Sequence, residues 1–260
     1  SFDDPRIRFV NLATRCGDMS GPHNHALTLA RGRYVAFLNH DDLYLPDHLA
    51  RCVVELETSG ADLVWVPCAV ARPKADPTGD WPFSFALTGV PATPEYSPLG
   101  IYFASSWVFR RGLADRVGPW RSPDEIYVVP SQDWLFRAWR SGASLKFLPA
   151  VSVILLPAGG RAGSYTRRTS ADHDLLAQRL QEDPGCLARI LEEAAVNEAQ
   201  EHFLHQRYPP FWSLGRRTLL RPVYALLARI GIHPLSLPMA VAYGRRGGFV
   251  RRLRKTTGAG

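Results

Sequence analysis

The sequence predicts an α/β protein: a mostly parallel, Rossmann-like sheet flanked by helices, followed by a helical, basic C-terminal extension. Three observations predict this. The apolar run Tyr34 to Leu38 is short, begins after Gly32 and stops abruptly at Asn39, His40, Asp41 and Asp42. Such a run reads as a strand buried on both faces, and polar groups just past its carboxyl end sit where open α/β sheets bind ligands. Helix-like and strand-like stretches then follow each other along the chain. Beyond Pro209 the composition changes to apolar residues mixed with arginine.

In chain order, Arg6 to Leu12 reads as a strand and Pro22 to Arg31 as a helix. The strand Tyr34–Leu38 leads to a helix from Pro46 to Ser59. Its predicted buried stripe is Leu49, Val53 and Leu56, with Cys52 and Val54 beside it, and Gly60 stops it. Ala61 to Ala71 is the next strand, with an edge or a bend at Pro67. Residues 72–100, rich in Pro, Gly, Thr and Asp, read as a surface loop, either shaping a substrate site or forming an ordinary insertion. Ala104 to Arg121 reads as strand, short helix and turn. Trp107 and Trp120 either stack on a sugar or pack in the core. Ser131 is placed to cap a helix with Asp133 in its first turn, Leu135, Phe136, Ala138 and Trp139 on its apolar face, and Gly142 at its end. Leu145–Leu148 and Val151–Leu156 are strand material. Residues 157–172 are rich in glycine and arginine: a lid over phosphates using Arg161, Arg167 or Arg168, or a solvated linker. Helices follow to Tyr208, broken at Pro184–Gly185. The predicted organisation is 1–157 as the α/β domain, 158–208 as loop and helical extension, and 209–260 as a basic amphipathic region.

The 260 residues carry a net charge of +7, and of the 31 basic residues all but Lys74, Lys146 and Lys255 are arginine. Arginine forks suit phosphate and carboxylate groups, so the expected partner is anionic: a nucleotide-sugar, a lipid phosphate or a membrane surface. Nucleic acid is not expected, because no binding motif accompanies the charge. Cys16, Cys52, Cys68 and Cys186 form no CxxC pair, the chain shows no signal-peptide pattern, and its apolar runs are interrupted short of a membrane span. The expected location is the cytoplasm, with peripheral contact at the inner face of the membrane through 209–260.

Asp41 and Asp42 repel each other unless a cation or a proton intervenes. Oxygen ligands of this kind suit Mg²⁺ or Mn²⁺, which in turn hold phosphates. The other reading of the pair is a helix cap ahead of Leu43–Leu49. Asp133 has two readings as well. The partial positive charge of a helix N-terminus keeps its carboxylate ionised, as a general base requires. It is equally a favourable first-turn residue.

The stretch LTLARGRYVAFLNHDDLYLPDHL, Leu27 to Leu49, resembles the core of the family 2 glycosyltransferases. The resemblance implies the GT-A fold and sugar transfer from a nucleotide-sugar donor to an acceptor hydroxyl, with inversion and a divalent cation. It places Asn39 and Asp41 at the ends of the family's Asp-x-Asp motif with His40 between them. Asn39 stands where the family more often has Asp. Asp41, aided by Asp42, falls on the metal and diphosphate position. GPHNHAL, Gly21 to Leu27, resembles the segment that approaches the donor and puts Asn24 on the matched asparagine. Residues 130–142 resemble the acidic helix start that holds the base of inverting members. Asp133 is the carboxylate available there, with Ser131 and Gln132 in place of other acids. The donor-binding set is Asn24, Asn39, His40, Asp41 and Arg161, and the acceptor is a glycan, a lipid-linked molecule or a protein. In the family, Arg6–Leu12 corresponds to a third strand, preceded by about fifty residues that read the nucleobase. Two alternatives stand beside this reading. One is a non-catalytic GT-A-like module that binds a glycan or a partner. The other is a metal-dependent hydrolase using His23, His25, His40 and Asp41.

Overall fold

A computed structural model describes residues 3–14, 16–74, 82–156, 171–207 and 220–257. These residues form a mixed α/β architecture with two four-stranded sheets flanked by helices. The strands are β1 (Tyr34–Ala36), β2 (Asp42–Tyr44), β3 (Leu63–Trp65), β4 (Cys68–Pro73), β5 (Phe83–Thr88), β6 (Trp107–Arg110), β7 (Leu145–Phe147) and β8 (Val153–Leu155). The helices are α1 (Ser20–Leu29), α2 (His48–Ser59), α3 (Gly112–Val117), α4 (Pro130–Arg140), α5 (Ala171–Glu182), α6 (Cys186–Arg207), α7 (Arg221–Arg229), α8 (Ser236–Tyr243) and α9 (Gly248–Thr257).

One sheet has the order β1-β6-β3-β7 and the other β2-β8-β4-β5. Only β3–β7 and β4–β8 are parallel pairs; the other four are antiparallel. The α/β class stands, but the mostly parallel pairing expected from the buried run at Tyr34 does not. β1 is a half-buried strand at the edge of its sheet, beside the antiparallel β6. The chain passes from the first sheet to the second between β1 and β2, β3 and β4, and β7 and β8. Pro67 marks the second crossing. It lacks an N–H to continue a ladder, so the single strand expected over Ala61–Ala71 becomes two strands in different sheets.

The buried face of α2 is His48, Cys52 and Leu56, one residue every four. Leu49 and Val54, expected in the stripe, are exposed. Burial of His48 is possible because its Nδ1 meets Ser152 Oγ at 2.8 Å and its ring lies 4.2 Å from Tyr44. Gly60 ends the helix at φ 69°, in the left-handed region. Within the predicted loop 72–100, β5 pairs with β4 as a hairpin, burying Phe83 and Phe85. The turn-rich composition around this short segment hid its strand pattern. Arg6–Leu12, expected as a strand, pairs with none among the described residues, and Phe9 there is exposed. The proposed lid residues Arg161, Arg167 and Arg168 lie outside the described residues.

The largest core cluster joins Phe37, Trp65, Trp107, Phe109, Trp120, Trp134 and Leu135 across the first sheet and α4. Trp107 and Trp120 are therefore packing residues, fully covered, and do not present a face to a sugar. A second cluster packs β4, β5 and β8 against α5 and α6, and a third packs α2 between the sheets.

Leu56→Ala should destabilise the fold by about 2–5 kcal/mol in denaturant titration, and Leu49→Ala by far less, because only Leu56 lies within the core. Burial holds the imidazole of His48 down to about 4, so it stays neutral in the fold. Its contribution is complete above pH 6.5 and is lost as pH falls towards 4, at most about 3 kcal/mol. His48→Gln should flatten the stability–pH curve across that window.

Candidate functional site

The loop 37–41 joins β1 to β2 at the junction of the two sheets. Phe37 anchors its start: the ring stacks on His23 at 4.1 Å and meets Trp120 edge-on at 5.3 Å. Tyr44 ties the same point from the other side, its hydroxyl donating to Phe37 O at 2.6 Å. The loop closes when Leu156 N–H donates to Asp41 O at 3.1 Å.

Asp42 is the buried member of the acidic pair. Its Oδ2 accepts from Ser105 Oγ at 2.5 Å and from Asn39 Nδ2 at 2.9 Å. Ser105 Oγ also accepts from Asn39 N–H at 3.1 Å, which closes a triangle of polar groups. Burial pushes the Asp42 carboxyl up to about 6; the Ser105 hydrogen bond opposes this and neighbouring Asp41 adds to it. Asp42 was expected as a metal ligand. The structure instead turns it inward to hold the loop, and the Asn39 amide is committed to it.

Asp41 and His40 sit at the outer side of this loop. Their side chains approach to 3.8 Å, with His40 67% and Asp41 17% exposed. Among the described residues, no group of three or more His, Cys, Asp or Glu comes together to hold a metal ion. The donor chemistry here fits a hard cation taking one protein carboxylate, Asp41, with its other oxygens drawn from phosphate and water.

Asn24 was expected at the donor. Its amide forms a two-way bond with the Trp120 backbone instead: Nδ2 donates to O at 2.9 Å and Oδ1 accepts from N–H at 2.7 Å. This clamps α1 to the turn after α3. Gly118 opens that turn at φ 78°, a conformation that favours glycine.

Asp133 lies in the first turn of α4 and is buried. The predicted cap was Ser131; the N-cap is Val129, with Pro130 at the first helical position. Asp133 Oδ2 accepts from Arg137 Nε at 2.8 Å, one helical turn on, and Oδ1 accepts from Arg121 Nη1 at 3.3 Å. Arg137 also donates to Val117 O at 2.6 Å and Pro119 O at 2.7 Å, and Trp134 Nε1 donates to Gly118 O at 3.1 Å. Asp133 thus faces two cations. Arg137 is a half-buried strut, whereas the Arg121 side chain is more exposed and makes the longer contact.

The two acidic segments are far apart in sequence but share one support. Phe37, two residues before Asn39, packs on Trp120. Trp120 precedes Arg121 and stacks on Trp134, the neighbour of Asp133, at 5.7 Å. Arg161 lies outside the described residues. Ser105, Arg121 and the strut role of Arg137 were not foreseen. The four-residue spacing of Asp133 and Arg137 is legible as a helical ion pair. Nothing in the sequence pairs Ser105 with Asp42.

Residues 1–118 match the model of glycosyl transferase family 2. This part of the chain is similar to that family. A stretch of 63 residues is 37% identical to the succinoglycan biosynthesis protein ExoO of Rhizobium meliloti (strain 1021), covering 24% of this chain and 18% of that protein. Another of 50 residues is 48% identical to the uncharacterized protein y4gI of Sinorhizobium fredii (strain NBRC 101917 / NGR234), covering 19% of this chain and 5% of that one. The chain thus spans less than a fifth of the length of these curated relatives. Among solved structures, S. aureus TarS in complex with UDP-GlcNAc aligns over 64% of this chain and 46% of its own, at 16% identity and a TM-score of 0.44.

Ser105→Ala should leave the buried Asp42 carboxylate without its hydroxyl donor. The expected loss is about 1–3 kcal/mol in denaturant titration at pH 7. Ser106→Ala, which removes a bond to the neutral Phe103 carbonyl and leaves no carboxylate without its donor, should cost less.

Proposed function

We propose that the chain carries the catalytic part of a glycosyltransferase that moves a sugar from a nucleotide-sugar donor to an acceptor hydroxyl. The observation that carries this reading is the common anchor of the two acidic segments, the Asn39–Asp42 loop and the start of α4, on Phe37, Trp120 and Trp134. The match of residues 1–118 to the model of glycosyl transferase family 2 supports it. The ExoO resemblance favours a growing polysaccharide, free or lipid-linked, as the acceptor.

Asp133 would take the proton of the attacking hydroxyl, and its contacts with Arg121 and Arg137 fix the direction in which its carboxylate points. Direct displacement at the anomeric carbon inverts its configuration. Asp41 would hold Mg²⁺ or Mn²⁺, which supplies charge neutralisation for the departing nucleoside diphosphate. His40 would position the donor, Asn39 would support it through its bond to Asp42, and Asn24 through the Trp120 turn. A second reading is a binding module without catalysis, favoured by one observation: both oxygens of Asp133 are held by arginine.

The C-terminal helices suit contact with an anionic membrane surface. No Asp or Glu follows Glu201, and Leu226, Ile230, Leu237 and Val241 are exposed beside Arg229, Arg245 and Arg246. Among the described residues, no helix is long and apolar enough to cross a membrane.

Asp133→Asn should reduce transfer by about a thousandfold or more while leaving nucleoside diphosphate affinity unchanged in calorimetry. Asp41→Ala should weaken both transfer and Mn²⁺-dependent binding. Full transfer by Asp133→Asn would remove the base assignment. Nucleotide binding by neither wild type nor variant would leave the binding-module reading.

A further inference from the structure

Beside Asp133 lies a cavity of about 730 Å³, a volume typical of small-molecule sites. One wall is α4 and the segment before it, with Ile126, Val128 and Phe136; the other is α7 and α8, with Leu227, Ile232 and Leu237. The C-terminal region therefore roofs the face of α4 that carries the carboxylate.

The polar groups of this cavity divide into spent and available ones. Arg140 is spent: Nη1 donates to Ala228 O at 2.8 Å and Arg229 O at 2.9 Å. Its guanidinium also closes over Gly231, where φ is +89° and an added Cβ would meet Nη1 at 3.0 Å. Arg137 is spent on Asp133 and two backbone carbonyls. Glu125 accepts from Ser122 N–H at 2.7 Å in a capping box. Arg121 makes one 3.3 Å contact with Asp133, and Arg246 lies 5.9 Å from the Tyr127 ring centroid. His233 accepts from Leu235 N–H through Nδ1 at 3.2 Å, which leaves the ring proton on Nε2. Burial keeps this ring neutral, near a value of about 4. The cavity thus combines apolar walls with two incompletely engaged guanidinium groups.

We infer that this cavity binds an acceptor carrying a phosphate joined to an apolar group, with Arg121 and Arg246 on the phosphate and the acceptor hydroxyl beside Asp133. The inference rests on the transferase reading for the role of Asp133; the phosphate site itself does not. Guanidinium forks suit phosphate oxygens, and the aliphatic and aromatic walls accept a hydrocarbon. A free phosphate or sugar phosphate would use the arginines and leave the apolar walls wet. A neutral glycan would bring no anion to the two arginines.

The test is calorimetric titration of the whole chain with decyl phosphate below its micelle concentration, inorganic phosphate and decyl glucoside. Decyl phosphate should bind, inorganic phosphate more weakly by about tenfold or more, and decyl glucoside least. Arg246→Gln should weaken decyl phosphate by about tenfold. Ala240→Phe, which fills the cavity without changing charge, should weaken it as well. Both variants should keep the wild-type thermal midpoint and nucleoside diphosphate affinity. Decyl phosphate binding that ignores both variants, or equal binding of decyl glucoside, would overturn the inference. So would binding only to vesicles of anionic lipid, which places the affinity on the helix surface. Nucleotide binding with no decyl phosphate binding would overturn the cavity and leave the transferase reading intact. The reverse result would keep the phosphate site and remove the transferase reading.

Discussion

The stacked indoles of Trp107, Trp120 and Trp134, closed by Phe37 and Phe109, are the packing on which the rest of the site depends. Each indole belongs to a different element: β6, the turn after α3, and the first turn of α4. Aromatic faces of this size bury large apolar area and hold their partners at fixed spacing. A shift of any one therefore moves a site segment, because Phe37 leads into the Asn39 loop and Trp120 and Trp134 flank Arg121 and Asp133. The hydrogen bonds around the cluster complete this constraint. Asn24 clamps the Trp120 backbone, and Trp134 donates to the Gly118 carbonyl.

Within this frame, two buried carboxylates meet different fates. Asp42 has a hydroxyl and an amide as donors, and burial raises its proton affinity. Asp133 has two arginines, one half-buried and bound to backbone carbonyls, the other more exposed. A buried carboxylate met only by neutral donors, as Asp42 is, is costly to ionise. The chemistry open to each follows from these neighbours. Asp42 stiffens a loop, and Asp133 is the carboxylate that lines a cavity.

The charge of the chain is divided unevenly. All of its acidic residues precede position 202, whereas the C-terminal helices add only basic ones. Those helices do not simply trail from the α/β core. Arg140 of α4 binds the carboxyl end of α7, and Arg251 of α9 meets Asp124 at 2.5 Å. The basic extension is thus fastened to the side of the molecule that carries Asp133. It supplies one wall of the cavity and leaves a row of apolar side chains outside.

The sequence by itself determined most of the helices, several of the strands and the two acidic segments. Those features rest on local signals: the periodicity of α2 and α4, the glycine stops at Gly60 and Gly142, and an apolar run ending in polar residues. The motif LNHDDLY also carries the resemblance to the family, since its residues are adjacent in the chain. Tertiary structure alone decided which strands pair, because Pro67 breaks one apolar run into two sheets and β1 meets an antiparallel neighbour. It decided that Asp42 turns inward, because the donor that holds it, Ser105, lies 63 positions away. It decided that Asn24 clamps a turn and that Trp107 and Trp120 fill the core. Each of these outcomes is set by partners distant in the chain, and local spacing carries no record of them.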